Sequence, residues 1–212
     1  MITSHDRSIY LASRSPRRRE LLAQIGVKFN QLLLRAQPDP DPESNEQPLQ
    51  QESPAAYVDR LARAKALAGW NRVEQRKLPR APVLAADTAV ALDERILAKP
   101  ADRRDAAHML GALSGKWHDV LTAVALRYGE RIECALSRTA VQFRPIGEDE
   151  IRGYLATGEG DDKAGAYAIQ GRAAQFVVEM RGSYSGVMGL PLYETAQLIG
   201  AMAATHERRN PR

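Results

Sequence analysis

Five short stretches put polar or charged side chains where chemistry can use them. The first is Ser13-Arg14-Ser15-Pro16-Arg17-Arg18. An apolar strand over residues 9–12 enters it, and Ser15 and Pro16 have the types of an N-cap and first helical residue. Unpaired backbone N–H groups at a helix start, with the positive end of its dipole, attract an anion. The hydroxyls of Ser13 and Ser15 add donors, and guanidinium forks match phosphate oxygens in pairs. A capped helix with solvated arginines accounts for the same residues about as well.

The second is Asp87-Thr88, inside the apolar run from Val83 to Val90. An aspartate there is costly to bury unless it is paired or holds a metal. At a strand end beside a cleft it is a candidate ligand or general base; a solvated acid is the plain alternative. The third is Lys65, on one stripe with Val58, Leu61 and Ala68 at spacings of three and four. A snorkelling lysine is the common outcome there, and a cation aimed at a buried anion the sharper one. The fourth is Lys99, held extended by Pro100. The fifth runs from Asp161 and Asp162 through Lys163-Ala164-Gly165-Ala166-Tyr167-Ala168-Ile169 to Gln170-Gly171. Its small residues allow close backbone approach, and the Gln170 amide suits the edge of a base.

Other signals fail. Gly111-Ala112-Leu113-Ser114-Gly115-Lys116 looks like a phosphate loop but is one residue short between its glycines, and Trp117 stands where Ser or Thr is required. It reads better as a helix C-terminus. His5, His108, His118 and His206 have no metal-ligand spacing. No nucleophile, histidine and acid can be grouped by spacing.

The elements that must position these residues alternate between strand and helix. Strands are expected at residues 9–12, 27–34, 82–92 and 176–180, with a hairpin over 120–127 and 132–144 around Tyr128-Gly129-Glu130. Helices are expected at 16–25, 54–70, 103–113, 148–156 and 192–203. Residues 37–52 are proline-rich and acidic and read as an exposed loop. The pattern predicts an α/β fold with a mixed central sheet flanked by helices, because a hairpin must be antiparallel. The 212 residues suit one large domain or two joined lobes, with a frayed tail over 205–212.

The net charge of +4 allows an anionic ligand, but its excess is local to the Arg14–Arg19 cluster and the tail. Aromatic content of 6% gives no stacking platform, so no nucleic acid is expected as a partner. The lone Cys134 excludes an internal disulfide framework and suits a reducing compartment. No segment has the length and apolarity of a signal peptide or bilayer span, so no membrane partner and a cytoplasmic location are expected.

The blocks LASRSPRRRELLAQIG, AADTAVALDERILAKPADRRDAAHMLGALSGKWHDVLTAVAL, DKAGAYAIQG and GSYSGVMGLPL together resemble the Maf family, in order and spacing, over residues 9–199. The resemblance implies a metal-dependent nucleoside triphosphate pyrophosphatase, in which water attacks the α-phosphorus and pyrophosphate leaves. It implies a single domain whose two lobes flank a nucleotide cleft, related in fold to inosine triphosphate pyrophosphatases, and a homodimer. By this resemblance Asp87 is the general base. Ser13, Ser15, Arg17, Arg18, Lys65, Lys99 and Asp162 line the substrate. The retained SPRR, ADT and YxIQG segments resemble the branch acting on dTTP and UTP, which makes Arg17, Thr88 and Gln170 the expected specificity positions. Mg²⁺ or Mn²⁺ is the expected cofactor, with Glu46 and Asp87 as carboxylate ligands.

One departure stands out. The family places two acids in the loop after the second strand; here Glu46 takes the glutamate's place behind Asn45, and Glu43 competes for it. Asp87 is then either base or metal ligand, since one carboxylate does not easily do both. The alternative function is a nucleotide-binding regulator of septum formation with little catalysis; retention of Asp87, Lys65 and Lys99 argues against it.

Overall fold

The computed structural model describes residues 8–34 and 46–209, the last five by backbone alone. Its centre is a seven-stranded sheet. β1 (Ile9–Leu11) leads through helix α1 (Pro16–Gln24) to β2 (Phe29–Gln31), which lies parallel to it. β1 also pairs parallel with the start of β3 (Val83–Leu92). From there the sheet is antiparallel: β3 with β4 (Arg95–Leu97) and β5 (Trp117–Tyr128), β5 with β6 (Arg131–Phe143), and β6 with β7 (Val177–Arg181). The order is β2-β1-β3-β5-β6-β7, with β4 on β3. This is the mixed α/β sheet expected from the sequence.

The pairing of β3 matters for the site. β1 meets it at Val83 and Leu84, and β4 meets it from Val90 to Leu92, whereas β5 pairs along it from Val83 to Ala91. Between β1 and β4, residues 85–89 of β3 therefore have no strand neighbour on that edge among the described residues. Asp87 and Thr88 sit in this gap, beside the C-terminal end of β1, where ligands of open α/β sheets bind.

Both faces of β3 are covered. α2 (Pro54–Gln75) lays Tyr57, Val58, Leu61, Ala62, Ala66, Trp70 and Val73 over Ala85, Ala89 and Ala91. On the opposite face, Leu21 and Leu22 of α1 and Ile199 and Met202 of α6 (Leu192–Arg209) cover Leu84 and Ala86. The two-residue period of the strand does the sorting. A third apolar cluster lies past the gap, where α3 (Arg103–Leu113) and α4 (Glu148–Leu155) meet Val90, Leu97, Phe143, Tyr167 and Phe176. Burying each such large side chain contributes about 1.5–3 kcal/mol.

Several boundaries differ from the sequence reading, each for a local reason. β4 was not expected, because the turn before it is Asp93-Glu94, both at positive φ (48° and 62°), without the glycine or asparagine that announces such a hairpin. β2 is shorter than residues 27–34, and two of its three residues are exposed. α2 continues past Trp70 to Gln75, because Gly69 does not break it. A Cβ at Gly69 would meet Val83 Cγ1 at 2.7 Å, so this glycine is there for close packing. α6 continues past Ala203 to Arg209, with no Gly or Pro before Pro211 to stop it. Residues 210–212 lie outside the described residues. The short helix α5 (Tyr184–Val187) was not foreseen either; Ser183 caps it by accepting from Gly186 N. The phosphate-loop lookalike is the end of α3, with Gly115 at φ +72° just past it. No helix among the described residues is long and apolar enough to cross a membrane.

The far core holds a titratable ring. His118 is buried, with Nε2 2.9 Å from Tyr167 Oη and edge contacts to Phe143 and Tyr167. Burial pushes its pKa down to about 4. A folded-state value below the unfolded value of about 6.5 means the unfolded chain binds more protons as the pH falls, so stability is lost below pH ~6.5. The loss is complete near pH ~4, at about 3 kcal/mol. In thermal melts, wild type should lose that much more than His118→Gln between these pH values; parallel losses would show that His118 is not the titrating group.

Candidate active site

Alternation along β3 sends Asp87 to the α2 face and Thr88 to the α1 face, so the gap is furnished from both sides. On the α2 side, Lys65 lies on the inward stripe as its spacing predicts. Its Nζ is 2.6 Å from Asp87 Oδ1 and 2.6 Å from Glu46 Oε1. Lys99 Nζ reaches Glu46 Oε2 at 3.3 Å. Tyr57 Oη donates to the Glu46 carbonyl at 2.8 Å and pins the loop end onto α2. Four of the expected residues, Glu46, Lys65, Asp87 and Lys99, thus form one ion cluster. Burial by itself would raise the Glu46 carboxyl; Lys65 and then Lys99 outweigh it and hold it below the usual range. Burial, with Asp87 and Glu46 nearby, raises the Tyr57 phenol, which keeps its proton and remains a donor. Glu43, the competitor for Glu46, lies outside the described residues.

On the α1 side, Ser15 caps the helix by accepting from Arg18 N at 3.5 Å, and Ser13 Oγ accepts from Ser15 N at 3.2 Å. Both hydroxyl oxygens act here as acceptors, which leaves their protons to be donated elsewhere. The turn offers an anion fewer backbone amides than the sequence suggests, because the amides of Ser15 and Arg18 are already used and Pro16 has none. The arginines diverge. Arg14 donates to Leu34 O and Arg19 to Gln31 Oε1, both away from the gap. Arg18 turns inward: Nε donates to Gly189 O at 2.7 Å and Nη2 to Thr88 Oγ1 at 3.2 Å. Burial lowers its pKa, partly offset by Asp87. Arg17 is half-buried; its pKa is also lowered by burial, and it feels Glu20 and Tyr154.

The last stretch closes the gap from the far core. Gly165 N donates to Ala98 O at 3.2 Å, and at φ +68° a Cβ there would meet Val90 Cγ2 at 2.9 Å. That close contact requires glycine and fixes the loop beside Lys99. Lys163, which the sequence reading passed over, is the residue this brings in. It is ion-paired with Asp162, yet its pKa is pushed down to about 8, by burial first and then by Arg17 and Lys99. A lysine beside two aspartates looks like a solvated charge in sequence; only the docking of the loop reveals its cationic neighbours. Asp162 and Gln170 are both exposed, at the two ends of the loop, and neither joins the Lys65 cluster.

The Maf-like protein family model matches residues 8–202. The chain belongs to the Maf-like protein family. Among its relatives, the dTTP/UTP pyrophosphatase of Nitrosomonas europaea is 55% identical over 199 residues, covering 94% of this chain and 96% of that protein. The dTTP/UTP pyrophosphatase of Aromatoleum aromaticum is 56% identical over 192 residues, covering 90% and 93%. That of Nitrosospira multiformis is 56% identical over 198 residues, covering 93% and 96%. Among solved structures, that of the Staphylococcus aureus Ham1 protein aligns at a TM-score of 0.49 and 11% identity, over 94% of this chain and 100% of that one.

In this Maf-like chain, no group of three or more His, Cys, Asp or Glu side chains converges as a metal site among the described residues. Yet Asp87 and Glu46 already share one cation, the Lys65 ammonium. Two carboxylates so placed fit an ion such as Mg²⁺, which takes one or two acids and completes its shell with phosphates and water.

Arg17, Lys99 and Lys163 bring like charges close together, so an oligophosphate should relieve them. Binding of inorganic tripolyphosphate should take up protons near pH 8 as Lys163 becomes charged, seen by calorimetry in buffers of different ionisation enthalpy. Lys163→Met should abolish the uptake and weaken binding roughly tenfold, the scale of one charge-assisted contact. Unchanged uptake in the variant would place the titrating group elsewhere.

Proposed function

We propose that this chain hydrolyses dTTP and UTP to the nucleoside monophosphate and pyrophosphate in the gap beside β3. The observation that carries this is the ion cluster: Asp87 on the open edge of β3, with Lys65 2.6 Å away and Glu46 and Lys99 beyond it. The names of the relatives support the substrate pair.

The chemistry follows from the placement. Lys65 holds Asp87 through Oδ1, which leaves Oδ2 to accept the proton of an attacking water. The water oxygen bonds to the α-phosphorus, the bridging bond to the β-phosphate breaks, and the pair of electrons leaves with pyrophosphate. Charge develops on that leaving group, where Arg17, Lys99 and Lys163 meet it. The hydroxyls of Ser13 and Ser15 donate to phosphate oxygens from the α1 side. In the alternative arrangement, where Asp87 is a ligand beside Glu46 and not the base, a Mg²⁺ or Mn²⁺ held there would polarise the phosphate and lower the pKa of a bound water. Thr88 and Gln170 are the positions that read the base, and Asp162 orients Lys163.

We further infer one domain whose two lobes meet at the gap, a homodimer, and a reducing, cytoplasmic setting. The support for the last is Cys134, the single cysteine, which leaves no internal disulfide to form.

Pyrophosphate release from a panel of nucleoside triphosphates, with Mg²⁺ and with Mn²⁺, tests the proposal. Cleavage of dTTP and UTP should dominate, and Asp87→Asn should lower kcat by about 10²–10⁴ with the fold intact by circular dichroism. Full activity in the variant would remove Asp87 as base; preference for a purine would remove the base reading; nucleotide binding without cleavage would make the chain a regulator.

A further inference from the structure

The GSYSGVMGLPL block, so far without a role, supplies the acceptors that orient one side of the site. Gly189 O receives Arg18 Nε at 2.7 Å, and Gly186 O receives Thr122 Oγ1 at 2.7 Å. Gly186 sits in α5, where Ser183 Oγ accepts from its N–H at 3.0 Å. A Cβ at Gly186 would come within 3.0 Å of Ser137 Oγ, so the segment is held against β6.

Thr122 lies on β5 directly across from Thr88, and it is fully buried. A hydroxyl carries one proton, and a carbonyl only accepts. Thr122 must therefore direct its proton to Gly186 O. The two threonine oxygens are 2.9 Å apart, so a proton must lie between them, and Thr122 has none left. Thr88 supplies it. A guanidinium only donates, so the 3.2 Å contact from Arg18 Nη2 also ends on Thr88 Oγ1. The chain runs one way, from Arg18 to Thr88 to Thr122 to Gly186 O. Thr88 is half-buried and reachable from the gap, and its one remaining hydrogen-bonding capacity is a lone pair.

We propose that Thr122 is a positioning residue that makes Thr88 an acceptor only, so that the site selects a pyrimidine presenting a ring N–H. Uracil and thymine carry a proton on N3. Cytosine has a bare lone pair there, which would face the lone pair of Thr88. This rests on the pyrimidine triphosphate reading and adds the device that excludes CTP.

The test is kcat/KM for UTP and CTP in wild type, Thr122→Val, Thr122→Ser and Thr88→Val. Wild type should favour UTP. Thr122→Val keeps the shape but removes the acceptor, so the Thr88 proton is free to turn to cytosine N3, and the UTP/CTP ratio should fall about tenfold. Thr122→Ser should keep the wild-type ratio, and Thr122→Val should add nothing in a Thr88→Val background. A residue that only fills space would lower both substrates together; an unchanged ratio in a folded Thr122→Val, or no UTP preference in wild type, overturns the proposal. Neutron diffraction from deuterated wild type decides even if a variant misfolds. A deuteron on the Thr122–Gly186 line supports the assigned direction, and one donated from Thr122 to Thr88 overturns it. Failure of wild type to cleave any pyrimidine triphosphate would instead sink the functional reading, with the proton direction still measured.

Discussion

The Lys65 ammonium is the charge on which the site depends. Asp87 stands in a strand that is alanine, valine and leucine apart from Thr88, and both faces of that strand are covered. A carboxylate there without a partner is costly, and breaking such a pair by removing one member costs about 3–5 kcal/mol. Lys65 supplies the partner from α2, and its own placement follows from helical periodicity: the stripe that buries Val58 and Leu61 carries its stem inward. The same nitrogen then fixes Glu46, which belongs to the proline-rich acidic stretch over residues 37–52. One cation thus joins helix, strand and loop.

That cation has somewhere to act because the sheet is interrupted. β1 ends early and β4 begins late along the same edge of β3, so among the described residues no strand pairs with that edge at residues 85–89. The short length of β1 follows from the polar Ser13–Ser15 turn, which leaves the sheet for the start of α1. Alternation then divides labour between the faces. Asp87 meets the groups suited to proton transfer and phosphate charge, and Thr88 meets Arg18 and the α5 segment. Two adjacent residues serve two chemistries because a strand turns neighbours to opposite sides.

Much of this was legible in the sequence, for reasons tied to particular residues. Helix caps at Ser15, Ser53 and Asp102 announce α1, α2 and α3, and each forms the hydrogen bond its type predicts. Asp87 and Lys65 stand out because a charge in an apolar pattern needs a cause. What stayed hidden depends on long-range docking. Lys163 looks solvated until Gly165 fits against Val90 and brings it toward Lys99. Thr122 is one more β-branched residue in a buried strand until register sets it across from Thr88. The Asp93-Glu94 turn lacks a glycine, so β4 left no local signal.

The arginine run shows the same limit more sharply. As a string, Arg14, Arg17, Arg18 and Arg19 look like one anion trap. In the fold, helical geometry separates them: Arg14 and Arg19 are tied to the β2 side, and Arg18 is drawn into Gly189 O and Thr88. Arg17 is left facing the same space as Lys163 and Lys99. Lys99 and Lys163 each have one acid partner, Glu46 and Asp162, and Arg17 adds a third cation beside them that nothing in the packing of the sheet requires. Their arrangement makes physical sense once an anion of several charges is the intended neighbour, because its binding turns mutual repulsion into attraction. Function, not packing, accounts for charges placed in this way.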